Sequence, residues 1–132
     1  MLVNNMSFFL KDKIDFEAHN AEVKAVWDAY YSGSPTRVPV SIVGSISNYI
    51  LNPELNTQGW TFKDYFENPD VQIKCQLQYQ KWIRHNILQD QEMGIPENGW
   101  NVYVDFQNCY DAAWFGCKLH YIDGQVPDTI EL

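Results

Sequence analysis

Val38-Pro39-Val40-Ser41-Ile42-Val43-Gly44 is a short run of mostly β-branched residues closed by a glycine, the composition of a buried strand. Pro39 suits a first strand position and would count against a central ladder position. Upstream, Ser32-Gly33-Ser34-Pro35 is a strong breaker. Before it, Phe16, Val23, Val26, Trp27, Tyr30 and Tyr31 recur at helical spacing with charged residues between them, which predicts an amphipathic helix over about 16–32. Downstream, residues 45–59 are rich in Asn, Ser, Pro and Gly around Tyr49-Ile50-Leu51, a long loop with one helical turn. Asn68-Pro69-Asp70 then starts a helix, with a capping side chain, a proline at the first position and an acid near the positive dipole end. Its apolar positions run to about Glu92, and Met93-Gly94 and Pro96 end it, so a long helix is expected over about 69–92. Asn101 to Phe106 alternates around Val102 and Val104, a second strand over about 101–106. Cys109 to Phe115 is a short helical candidate, Leu119 to Ile122 a brief third strand before the Asp123-Gly124 turn, and Val126 to Thr129 extended. Strand, long helix, strand is the order that builds a parallel sheet.

The chain has 132 residues, 45% of them hydrophobic, enough for one domain with a packed core. Seventeen acidic against nine basic residues give a net charge of −8, which repels phosphate backbones and anionic lipid. Nucleic acid and membrane surfaces are therefore not expected as partners. No apolar run approaches the roughly 18 residues of a membrane-spanning helix, and Phe8-Phe9-Leu10 is too short for an export signal. Three cysteines, Cys75, Cys109 and Cys117, are odd in number and widely spaced, so a reduced, cytoplasmic protein is expected. With His19, His85 and His120 they make no zinc-binding spacing, and they read as small buried hydrophobes. No metal site is expected in this segment.

Several pieces together resemble the uroporphyrinogen decarboxylase superfamily. Ala21-Glu22-Val23-Lys24-Ala25-Val26-Trp27 followed by Ser34-Pro35-Thr36-Arg37-Val38-Pro39-Val40 is similar to the opening of its members. Tyr65-Phe66-Glu67-Asn68-Pro69-Asp70, Trp114-Phe115-Gly116-Cys117-Lys118-Leu119 and Val126-Pro127-Asp128-Thr129 follow in the same order. The resemblance implies an α/β fold, the N-terminal part of a (β/α)8 TIM-type barrel, incomplete in this chain because such barrels take about 250 residues. It also implies a site at the C-terminal ends of the strands. An incomplete sheet with open edges is in turn expected to associate with itself or with a missing partner.

In the decarboxylases that the chain resembles, two arginines after the first strand hold the acidic arms of the porphyrinogen, a role that suits the planar, always charged guanidinium. Here Gly44 and Asn48 stand at those places, and Gln107 stands near the family's acidic residue. Porphyrinogen decarboxylation, a lyase reaction, is thus the less expected activity. The superfamily also includes methyltransferases that move methyl groups between corrinoid proteins and thiols with a zinc-bound thiolate. Their His and Cys ligands lie beyond the reach of this sequence, so zinc and corrinoid belong to a full-length relative, and this segment alone is not expected to be active. A non-catalytic binding protein on part of the scaffold is the alternative. Catalytic residues are not assigned. Gly44, Ser45, Asn48 and Tyr49 above the first strand, and Gln107 and Asn108 directly after the second, are the candidates for lining a small-molecule pocket. Asp105 is either an inward polar group or faces a helix end, with Tyr103 on the same parity. Trp27, Trp82 and Trp114 sit at helical positions that favour core packing.

Overall fold

Asp15 caps the first helix, α1 (Phe16–Tyr31), by accepting from the Ala18 amide at 3.1 Å, and Val23 and Val26 form its buried stripe. The computed structural model that contains it describes residues 13–106 and 109–130. Four more helices follow among the described residues, α2 (Ile46–Ile50), α3 (Phe62–Glu67), α4 (Pro69–Asn86) and α5 (Tyr110–Trp114), and then β1 (Lys118–His120) and β2 (Asp128–Ile130). The chain forms two compact units, Met1–Val43 with Gln80–Gly99 and Gly44–Tyr79 with Trp100–Leu132.

In the first unit, α1 is tied to the segment after α4 through polar side chains. Asn20 pairs with the Met93 backbone through both amide atoms, donating to the carbonyl at 3.1 Å and accepting from the N–H at 2.8 Å. Trp27 Nε1 donates to the Asp90 carbonyl at 2.7 Å. Gly94 has φ +79°, and a β-carbon there would lie 2.9 Å from Phe16, so the turn needs glycine on both counts. Residues 38–43, expected to be a strand, belong to no strand or helix. The Val40 N–H donates to the Asp90 carboxylate at 2.6 Å, its carbonyl accepts from the Asp90 N–H at 2.7 Å, and the Ile42 N–H donates to Gln89 Oε1 at 2.6 Å.

Those bonds also explain where the long helix stops. The sequence pattern runs to about 92, but α4 ends at Asn86. Past it, Gln89 and Asp90 turn back to hold the extended segment, and Asp90 also takes two bonds from Arg37 at 2.5 and 2.6 Å. Charge-assisted bonds of this kind outweigh one further turn of helix.

In the second unit, Thr61 and Asp64 form a reciprocal capping box that starts α3. Tyr65 and Cys75 are fully buried, with Tyr49, Phe62 and Tyr79 also in the core. Residues 101–106, expected to be a second strand, likewise form none. Two glutamines one turn apart on α4 take the place of a strand. Gln76 donates to the Tyr103 carbonyl at 2.7 Å and accepts from its N–H at 3.0 Å, and Gln72 does the same with Asp105 at 2.8 and 3.1 Å. The match is geometric. One helical turn of about 5.4 Å and two extended residues of about 6.6 Å bring successive amides into register.

The expected start of a (β/α)8 TIM-type barrel is therefore corrected. Among the described residues the sheet is a two-stranded antiparallel hairpin, with Lys118 opposite Ile130, Leu119 opposite Thr129 and His120 opposite Asp128. The stretches expected to be parallel strands, 38–43 and 101–106, satisfy backbone groups with side chains of Gln89, Asp90, Gln72 and Gln76 instead of a ladder. Periodicity suggests a strand but does not say what its backbone groups will pair with.

Candidate functional site

A cavity of about 610 Å³ lies in the second unit, within the roughly 300–1,000 Å³ of small-molecule sites. The C-terminal end of α3 supplies Phe66 and Glu67. Tyr65 points into the core and meets Phe66 edge-on, with ring centroids 5.1 Å apart, which leaves Phe66 on the cavity side. Phe106 follows the segment that the two glutamines hold. With Asp105 turned inward and 8% exposed, Phe106 takes the other face. Trp114 ends α5, and Lys118, Leu119 and Tyr121 come from β1 and the residues just after it.

The polar groups at the cavity differ in state. Cys109 is buried and its thiol donates to the Pro127 carbonyl at 3.1 Å. Burial, and then the Asp128 charge nearby, pushes its pKa up, which disfavours the thiolate. Burial and then the neighbouring Glu67 carboxylate push the Tyr121 phenol up as well. Its oxygen is buried beside that carboxylate. Among the described residues no three His, Cys, Asp or Glu side chains meet as a metal-ligand group.

The sequence candidates fall elsewhere. Gly44 packs against Tyr79, and a β-carbon at 44 would fall on the Tyr79 hydroxyl and lie 2.9 Å from Cζ. Ser45 caps α2 by accepting from the Ser47 amide at 3.3 Å. Asn48 is exposed and hydrogen-bonds the Tyr79 hydroxyl. Tyr49 is buried and donates to Gln78 Oε1, and burial raises its pKa to about 12. None of these four lines the cavity. Gln107 and Asn108 lie outside the described residues.

Sequence reasoning missed Phe66, Glu67, Phe106 and Tyr121, and it gave Trp114 a core role although Trp114 is 76% exposed. A signal existed in the aromatic density around 103–121. Asp105 is an inward polar group that accepts from the Tyr65 hydroxyl at 2.8 Å, whereas Tyr103 is exposed. No protein-family model, curated protein or solved structure matches the chain.

Proposed function

We propose that the chain is part of a divergent uroporphyrinogen decarboxylase-like protein of the methyltransferase-like kind, acting in methyl transfer between a corrinoid and a thiol and not in porphyrinogen decarboxylation. The observation that carries the choice between the two activities is the packing at Gly44. A porphyrinogen with several carboxylates needs fixed cationic forks. Gly44 has no room for any side chain while Tyr79 stays in place, and Asn48 beside it is neutral. Both arginines of the chain are engaged elsewhere, Arg37 with Asp90 and Arg84 with the Gly94 carbonyl at 2.6 Å. The ordered motifs from Ala21 to Thr129 support the family reading, and the three free cysteines suit a cytoplasmic, reducing setting.

The second reading is a binding protein without chemistry. An apolar cavity whose buried thiol is bonded to a carbonyl favours it. Protein purified from its natural source separates the readings. Incubated with methylcobalamin and a small thiol, it should release cob(I)alamin, seen by its absorbance, and it should leave the carboxylates of uroporphyrinogen intact. Porphyrinogen turnover above a buffer control rejects the first reading. No methyl transfer by protein that still binds a ligand in the cavity moves the assignment to the second.

A further inference from the structure

Asn98-Gly99 is the only asparagine-glycine pair of the chain, and a glycine after asparagine leaves the next backbone nitrogen unshielded by a β-carbon. Both residues are exposed. They lie in a turn that the Gly99 N–H closes by donating to the Pro96 carbonyl at 3.3 Å, a bond longer than the ordinary range and weak for that reason. Gly99 has φ +81°, and a β-carbon there would meet nothing within 4 Å, so the space beside its backbone is open. Other asparagines are shielded. Asn20, Asn56 and Asn86 tie up their amides in hydrogen bonds to backbone carbonyls. Asn52 and Asn68 precede prolines, which have no N–H to react.

We propose that Asn98 is a site of spontaneous modification, at which the Gly99 nitrogen attacks Asn98 Cγ from a contact of about 3–3.5 Å. The new bond between that nitrogen and Cγ closes a five-membered succinimide as the bond from Cγ to the side-chain nitrogen breaks. The proton of the Gly99 N–H leaves with that nitrogen as ammonia. Water then adds to either ring carbonyl and opens the ring to aspartate or isoaspartate, with nothing oxidised or reduced. Each product adds one negative charge to the net charge of −8, and isoaspartate also lengthens the main chain by one carbon. The position gives the change its weight, because the chain passes from the first unit to the second between Gly99 and Trp100. The pair is thus an age mark in the link between the units. It rests on neither functional reading above.

Ageing the full native chain in neutral buffer, followed by peptide mapping, tests it. The Asn98 peptide should gain one dalton, release ammonia and become a substrate for a protein isoaspartyl methyltransferase. It should convert about tenfold faster than the peptides of the other described asparagines, and faster still as pH rises, because the attacking nitrogen must lose its proton. Gly99→Ala should slow conversion about tenfold, although alanine is strained at this φ. Asn98→Gln keeps Gly99 in the turn and needs a less favourable six-membered ring, so it should end conversion at this position without that strain. Isoaspartate formed at Asp123-Gly124 brings no mass gain and falls in a different peptide. An Asn98 that stays intact in the native chain, conversion of other asparagines at an equal rate, or undiminished conversion in either variant overturns the proposal.

Discussion

Asp90 shows how one side chain organises its surroundings. Its carboxylate accepts from Arg37 and from the Val40 N–H, and these partners, the Arg37 bond first, lower its pKa from 3.8 to about 2. A carboxyl depressed in the folded state contributes stability above its unfolded pKa, and that contribution disappears as pH falls through the folded pKa. The loss therefore belongs between pH 3.8 and about 2. Thermal melts across that range should show the native chain losing stability more steeply than Asp90→Asn, and parallel curves would disprove the role given to Asp90. Gly44 is the second decisive residue. Gly44→Ala forces its methyl against Tyr79 and should destabilise by about 1–3 kcal/mol, as overpacking does. Tyr79→Phe in the same chain should return much of that loss. An unchanged denaturation midpoint in Gly44→Ala would mean that Tyr79 moves aside freely, and the argument against a cationic side chain at 44 would fall with it.

At the scale of elements, the pairing of α4 with residues 103–105 is a helix acting as a strand. Gln72 and Gln76 each give one donor and one acceptor to the backbone of an extended residue, which is what a neighbouring strand would do. Backbone groups out of water need such partners. Gln76→Leu and Gln72→Leu keep bulk but remove both bonds, and each should cost about 1–3 kcal/mol. Hydrogen exchange gives the sharper readout. The Tyr103 amide should lose protection in Gln76→Leu and the Asp105 amide in Gln72→Leu, each before the rest of the second unit. Loss of protection spread evenly over the unit would show that the glutamines act through general stability and not through this pairing.

At the scale of the whole molecule, both extended segments keep much apolar surface in water. Val38 is 75% exposed, Val43 91% and Val104 74%. Surface of this kind on extended backbone invites pairing with another chain. The expected outcome is association at micromolar concentration, seen by light scattering as a mass that falls on dilution. A monodisperse monomer at every concentration would show that the net charge of −8 keeps the chains apart. Among the described residues no helix is long and apolar enough to cross a membrane.

The sequence by itself determined several helix starts and one turn. Asp15 at the start of α1, Asn68-Pro69-Asp70 at the start of α4 and the Asp123-Gly124 turn between β1 and β2 act through bonds and dihedrals within a few residues, so they are legible in order along the chain. Residues 38–43 and 101–106 carry the composition of strands but form none. Which groups those segments bond to was not legible, because Val40 meets Asp90 across 50 residues and Tyr103 meets Gln76 across 27. A side chain that mimics a strand leaves no periodic mark in the sequence. The cavity is of the same kind. Phe66, Phe106, Trp114 and Tyr121 come from four separate places in the chain, and only tertiary packing, with Tyr65 and Asp105 turned inward, brings their rings to one site.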